Sequence, residues 1–242
     1  MTSCLQPHFI AHRGASYLAP ENSKASMNLA WELKAAGAEC DVMLTRDHQV
    51  ILFHDKDGKR LLDRDLVISE TDYDDVKKLP LKLKDGNLAK YQGATIPLLK
   101  DILVDLPKNQ LLVIEIKDKI EILPHLKKVV DTHWKQGSIA FIAFDYNTIL
   151  EIKKLYPKVP CYYLSSTIED IEKRFEGIKT SDLDGVDLNF NIIDAKLVKR
   201  FRDVNKEVWC WTVNTPEDAS KMLELGVSYI TTDRPKWLTT QL

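Results

Sequence analysis

Ala38-Glu39-Cys40-Asp41-Val42-Met43-Leu44, followed after a short break by Val50-Ile51-Leu52-Phe53-His54-Asp55, is the stretch on which the fold turns. The first run is apolar enough for a buried strand, yet it carries two acids two residues apart. Side chains alternate along a strand with a period of two, so Glu39 and Asp41 point to one face. Charge of this kind collects where buried strands emerge from a sheet, which is also where catalytic groups gather. The second run ends in His54-Asp55. Upstream, Phe9-Ile10-Ala11 ends in His12-Arg13-Gly14, and downstream Leu111 to Ile116 carries Glu115 and leads into Lys117. Paired carboxylates grip hard cations, and two imidazoles beside them suit proton transfer to and from oxygen.

The same strand-then-helix rhythm extends outward in both directions. Ser23 to Ala36 has apolar residues at three- and four-residue steps, with Asn22 or Ser23 as its cap and Gly37 as its stop. Leu98 to Leu106 reads as a helix, Leu111 to Ile116 as a strand and Ile120 to Trp134 as largely helical. Strands follow at Ile139 to Phe144, Pro160 to Leu164, Gly185 to Leu188, Val208 to Val213 and Tyr229 to Thr232. Helices alternate with them at Asn147 to Leu155, Ile168 to Phe175, Ala195 to Val204 and Ala219 to Leu225. Pro235 to Leu242 is expected to be a tail packed on the body. Counting the Val50 run as an extension of the second strand leaves eight βα units. That predicts an α/β fold, a (β/α)8 TIM barrel. An open doubly wound sheet is the rival, and no GxGxxG follows the first strand to favour its dinucleotide version. Residues 56–95, rich in Lys and Asp and broken by Asp57-Gly58 and Asp85-Gly86, interrupt the rhythm. They are expected to be a small insertion near the C-terminal mouth of one barrel domain spanning 1–242.

Composition narrows the function. Of the 242 residues, 44% are hydrophobic and 29% charged, as in ordinary globular chains. Lys and Arg number 34 against 36 Asp and Glu, a formal charge of −2. No overall field attracts nucleic acid or anionic membrane, so any anionic substrate must be recognised locally. Cys4, Cys40, Cys161 and Cys210 are scattered without a CxxC pair, which removes zinc-site spacing. Cys40 and Cys210 lie in apolar runs and read as buried small hydrophobes. No run is long enough for a membrane span, and Met1 to Pro7 lack the segments of a signal peptide, so the chain reads as cytoplasmic, with a processed secreted or periplasmic form as the alternative that would look the same.

With these motifs in place, the chain resembles the glycerophosphodiester phosphodiesterase family, which shares the phosphatidylinositol phospholipase C type of barrel. The resemblance rests on His12-Arg13-Gly14, Pro20-Glu21-Asn22-Ser23, Glu39-Cys40-Asp41-Val42 with Thr45-Arg46-Asp47, and His54-Asp55. It continues through Ile96-Pro97, Glu115-Ile116-Lys117, Trp211-Thr212-Val213-Asn214 and Gly226-Val227 to Thr232-Asp233-Arg234-Pro235. The resemblance implies metal-dependent hydrolysis of a small glycerophosphodiester to glycerol 3-phosphate and an alcohol. It implies Glu39, Asp41 and Glu115 as ligands of one divalent cation, Mg2+ or Ca2+, and His12 and His54 as general acid and base. Arg13 and Lys117 would meet the phosphate, and Trp211 the glycerol or alcohol end. Water and the glycerol 2-hydroxyl both stand as nucleophiles, as do both assignments of acid and base.

Other residues receive plainer readings. Glu21 and Asn22 fix the first loop or cap the first helix, and Asp55 anchors a loop or orients an imidazole. Asp233 ties down the last strand's end. His8, His48, His125 and His133 are read as surface residues. The family often has Gly where this chain has Lys34 and His48, and Ser-Phe where it has Ala143-Phe144; a serine touching substrate there would be missed. A non-catalytic barrel that binds phosphorylated ligands is the first competing function, although a binder has no need of two proton-transfer groups. A metal-dependent lyase or aldolase is the second, and it leaves the histidines beside Arg13 without a use.

Overall fold

Eight parallel strands close on themselves, because the first pairs with both the second and the last. The computed structural model describes residues 8–242; Cys4 and the Met1 to Pro7 stretch lie outside them. The barrel strands are β1 (Phe9–Ala11), β2 (Gly37–Leu44), β4 (Leu111–Ile116), β5 (Ser138–Ala143), β6 (Cys161–Ser165), β7 (Gly185–Asn189), β8 (Glu207–Trp211) and β9 (Ile230–Thr232). A short β3 (Val50–Leu52) pairs antiparallel with Val42–Leu44 of β2 and stands outside the ring. The (β/α)8 barrel is therefore as expected, with the Val50 run as a hairpin partner of β2.

Helices α1 (Lys24–Glu32), α4 (Leu99–Asp105), α5 (Leu123–His133), α6 (Tyr146–Leu155), α7 (Ile168–Thr180), α8 (Ala195–Arg202) and α9 (Pro216–Leu225) connect the strands; two four-residue turns, α2 (Lys59–Leu62) and α3 (Tyr73–Val76), belong to the insertion. Local chemistry fixes where they start. The side chains of Asp145, Thr167, Asp194 and Thr215 each accept an N–H from the first turn of α6 to α9, the usual use of these residues as caps. At α1 the cap is Ser23, in a reciprocal pair with Ser26. Asn22 does not cap; its side chain is committed to Asp41. Gly37 does not end α1 either. Lys34, at φ +59°, leaves the helix, and Gly37 opens β2, where a Cβ would come within 2.9 Å of Ile10 Cδ1 and Leu111 O.

Strand alternation sorts the core into two shells. On β5, Ile139, Phe141 and Ala143 join the large cluster between barrel and helices, while Ala140 and Ile142 face the interior. The interior is filled by Ile10, Val113, Tyr162, Leu164 and Trp209, so the barrel is a packed core with an open end. Residues 56–95 build a third cluster: Leu61, Leu62, Ile68, Val76 and Leu81 pack on Met43, Ile51 and Phe53 of the β2–β3 hairpin. The Pro235 to Leu242 tail is largely a helix, α10 (Pro235–Gln241), anchored by the fully buried Leu238. Cys40, Cys161 and Cys210 are buried free thiols. Among the described residues, no helix is long and apolar enough to cross a membrane.

Candidate active site

Register brings the acids together. Asp41 on β2 lies directly beside Glu115 on β4, and Glu39 is two residues earlier on the same face. Glu39, Asp41 and Glu115 each offer an oxygen, and the three lie within 4.8 Å of one another. The two β2 acids are not at a strand end as the sequence suggests. Beyond Val42 the strand is no longer paired with β4 and continues as the hairpin with β3.

Such closeness is costly without a counter-charge. At an effective dielectric near 20, two ionised carboxylates at this spacing repel by about 3–4 kcal/mol. Burial, then the negative charges of Asp41 and Glu115, push Glu39 well above the usual carboxylate range. Burial and Asp41 likewise raise Glu115 to about 7, although Lys117 opposes them. Asp41 goes the other way. Burial alone would raise it, but the cations of Arg13 and Lys117, the nearby His54 and an Asn22 hydrogen bond outweigh that and hold it low. Asp41 Oδ2 accepts from Asn22 Nδ2 at 2.7 Å. Its Oδ1 is buried without a hydrogen-bond partner, 3.6 Å from Lys117 Nζ. Three clustered carboxylates, one with an orphaned buried oxygen, fit a hard divalent cation.

Two imidazoles stand at the same mouth. His12 follows β1 and His54 follows β3. Each has its Nδ1 held at 2.8 Å by its own carboxylate, Asp233 Oδ1 for His12 and Asp55 Oδ1 for His54. An ionised carboxylate at Nδ1 selects the Nδ1–H tautomer and leaves Nε2 as the ring's free acceptor. Burial lowers the His54 pKa, outweighing the attraction of Asp41. Asp55 is a bridge as well as an imidazole partner, since its Oδ2 accepts from Arg60 Nε at 2.7 Å. Asp233 also accepts from Ser16 Oγ and Asn214 Nδ2. It therefore ties the last strand's end, as expected, and orients His12, which was not.

Arg13 sits at φ +54°, next to Gly14 at +76°, where a Cβ would come within 2.5 Å of Ser26. Only glycine tolerates that approach, so Gly14 sets the turn that carries Arg13 inward. The Arg13 N–H donates to Glu39 Oε2 at 2.8 Å, and its Nη1 donates to Glu21 Oε1 at 2.6 Å. Glu21 in turn accepts both Nη groups of Arg60. Residues 56–95 thus reach into the site through Arg60, with Lys84 Nζ 3.6 Å from Glu21 Oε2 beside it. Lys117 Nζ donates to Glu115 Oε1 at 2.7 Å and lies 5.8 Å from the centre of the Phe144 ring.

A pocket of about 250 Å3 gathers these groups. It is lined by His12, Arg13, Glu39, His54, Glu115 and Lys117 on strands β1 to β4 and their ends, and by Ile142, Phe144, Leu164, Asp187, Trp211, Thr212 and Thr231 on the remaining strands. Every candidate residue read from the sequence lines it except Asp41, which is buried. Trp211 stacks edge-on to Phe144 and donates its Nε1–H to the Asp187 carbonyl. Ala143 faces the helices, so a serine there would not enter the pocket. Of the remaining histidines, His8 stacks on Tyr229 and His48 on His125. The sequence reading missed Arg60, Asp187 and the orienting role of Asp233. A spacing signal existed for Arg60 alone, in its closeness to His54-Asp55.

Residues 12–237 match the model of a family described as the glycerophosphoryl diester phosphodiesterase family. A glycerophosphodiester phosphodiesterase of Caldanaerobacter subterraneus is 30% identical over 238 residues, 95% of each chain. Among solved structures, an Oleispira antarctica phosphodiesterase in complex with the product sn-glycerol-3-phosphate is 28% identical with a TM-score of 0.86, covering 97% of this chain and 96% of that one. A Thermotoga maritima glycerophosphodiester phosphodiesterase, 23% identical over 98% of both chains with a TM-score of 0.81, shares the fold.

Proposed function

The chain belongs to the glycerophosphoryl diester phosphodiesterase family, and from that premise we propose that it hydrolyses glycerophosphodiesters to glycerol 3-phosphate and an alcohol, using a divalent cation and two histidines. The observation that carries this reading is the meeting of two carboxylate-held imidazoles with a three-acid cluster in one pocket. Product bound to the Oleispira relative supports the same substrate class.

Glu39, Asp41 and Glu115 would hold Mg2+ or Ca2+, which when bound neutralises phosphate oxygens and acidifies an attacking oxygen. Arg13 and Lys117 face the phosphate and stabilise charge that builds on it in the transition state. Both are held for the task. The acids around Arg13 and Lys117 outweigh burial and keep each protonated. One imidazole takes the nucleophile's proton at Nε2; the other delivers its Nε2 proton to the leaving alkoxide. Trp211 walls the alcohol or glycerol side. We read the whole chain as one such barrel, its 56–95 segment an insertion, working in the cytoplasm.

His12→Ala and His54→Ala test the reading. Either change is expected to abolish release of glycerol 3-phosphate from glycerophosphocholine and glycerophosphoethanolamine while the melting temperature holds. Excess chelator is expected to silence the wild type. Undiminished hydrolysis by either variant removes the acid–base assignment.

A further inference from the structure

Asp187, on β7, has no place in the chemistry above, yet it is the one acid on the opposite side of the pocket. Its strand neighbours are Leu164 on β6 and Trp209 on β8, and the pocket wall around it is otherwise Ile142, Leu164, Phe144 and Trp211 with two hydroxyl side chains, Thr212 and Thr231. It is 1% exposed. Its Oδ1 is buried without a hydrogen-bond partner, and among the described residues no side chain or backbone donor reaches its carboxyl group. A buried carboxyl normally finds a partner in its own chain, because leaving it without one is costly. One left unsatisfied on the wall of a binding pocket is aimed at something that enters the pocket.

The charged and apolar halves of the pocket say what that is. Arg13, Lys117, the two imidazoles and the acid triad match a phosphate and its cation, so the phosphate belongs on the β1 to β4 side. An ester arm pointing across the barrel then meets aliphatic and aromatic surface, the threonines Thr212 and Thr231, and a single carboxyl. A plain alkyl arm would leave that carboxyl stranded. A hydroxyl both donates and accepts, and satisfies a carboxyl in either of its protonation states. We propose that Asp187 is the specificity-determining residue that reads the hydroxyl groups of the glycerol arm. The proposal rests on the phosphodiesterase reading of this pocket and adds which arm lies on which wall.

The Asp187 Oδ1 holds no hydrogen bond within the chain, so its replacement is expected to leave the protein folded. Removing a stranded buried carboxyl commonly raises stability where the group serves function. Binding is the readout that tests it, independent of turnover. Glycerol 3-phosphate and n-propyl phosphate, which lacks both hydroxyls, would be titrated calorimetrically into the metal-loaded protein. Wild type is expected to prefer glycerol 3-phosphate by roughly tenfold to a hundredfold, the discrimination of a site built to pair with a hydroxyl. Asp187→Leu is expected to erase that preference with an unchanged or higher melting temperature, and Asp187→Asn, which still donates and accepts, to keep most of it. Equal wild-type affinity for the two esters overturns the proposal and leaves the phosphate site standing. So does a full preference retained by Asp187→Leu. A loss in Asp187→Asn as complete as in Asp187→Leu shows a cation as the partner and also overturns it. Failure of both esters to bind the wild type sinks the phosphodiesterase reading itself, and with it this one.

Discussion

Asp233 Oδ1 stands 2.8 Å from His12 Nδ1 although 221 residues separate them in the chain. The contact exists because β1 and β9 are neighbours at the closure of the barrel, where the His12 N–H also donates to the Thr232 carbonyl. Burial would raise the Asp233 pKa, but the His12 hydrogen bond and charge hold it far below the usual range, so the acid is ionised at neutral pH. An ionised acceptor at Nδ1 fixes both the ring's orientation and its tautomer.

Asp233→Asn should therefore damage turnover more than binding. The amide can offer His12 an N–H instead of an acceptor, which would place the ring proton on Nε2. A loss in kcat of about 10²–10⁴, the worth of a positioned acid or base, is expected with a much smaller change in KM. Steady-state kinetics on glycerophosphocholine beside a melting curve would check this. A loss carried by KM alone would show that Asp233 does not act through His12.

Arg60 reaches from the 56–95 segment into the site, bonded to Asp55 and bidentate to Glu21, with Lys84 Nζ 3.6 Å from the same Glu21 carboxylate. Those acids hold His54 and Arg13 in turn. Arg60→Ala should lower kcat and shift the acid–base limbs of the pH profile, and Arg60→Lys should recover only part, since lysine cannot fork. If Arg60 works through Asp55, the effects of Arg60→Ala and Asp55→Ala on kcat should fall well short of additive. Additive losses would mean that Arg60 acts elsewhere.

The acid triad sets a sign for stability against pH. Glu115 rises from an ordinary 4.5 to about 7 in the folded chain. Between these values the native state holds a proton that the unfolded state has lost. Stability of the metal-free protein should then fall as pH climbs from about 4.5 to about 7, and Glu39, also raised, extends the trend upward. Glu21 and Asp55 are depressed and make their change at lower pH. A divalent cation favours the ionised triad, so its stabilisation should grow over the same window. Melting temperatures in chelator and in excess Mg2+ or Ca2+ at pH 5 and pH 8 would test this. A metal-induced rise of equal size at both values would place the cation away from these acids.

Much of this site was legible because short-range rules fixed it. A period of two placed Glu39 with Asp41 and Glu115 with Lys117, and apolar runs ended at His12 and His54. Residues 56–95 stood out as a broken rhythm. What stayed hidden depends on closure and register. Nothing local links His12 to Asp233, or marks Asp187, within Gly185-Val186-Asp187-Leu188, as facing the pocket. Helix α7 runs on to Thr180 past the Phe175 end that the sequence suggests. Gly177, within that extension, is a close approach, since a Cβ there would come within 2.5 Å of Tyr146 Oη. Lys34 and His48, set aside as surface departures from the family pattern, prove to carry backbone information.

Lys34 and His48 both sit at φ +59°, where a side chain crowds the following carbonyl and glycine does not. Both are exposed, so little packing is at stake in replacing them. Leaving the left-handed region unstrained should gain about 1–2 kcal/mol, and the extra freedom of glycine in the unfolded chain should take back about 0.4–1 kcal/mol. Strain relief wins by a small margin. Lys34→Gly is thus expected to raise stability by about 0.5–1 kcal/mol, or a melting temperature by roughly 1–4 °C for a chain of this size. His48→Gly should gain less, because it also gives up the stack on His125, whose ring centre lies 4.6 Å away. Neither change touches the pocket, so kcat on glycerophosphocholine should stay within error. Differential scanning calorimetry of the two single variants and the double would check the order. A fall in melting temperature for Lys34→Gly would mean that its side chain, not the backbone turn, is what matters at that helix end.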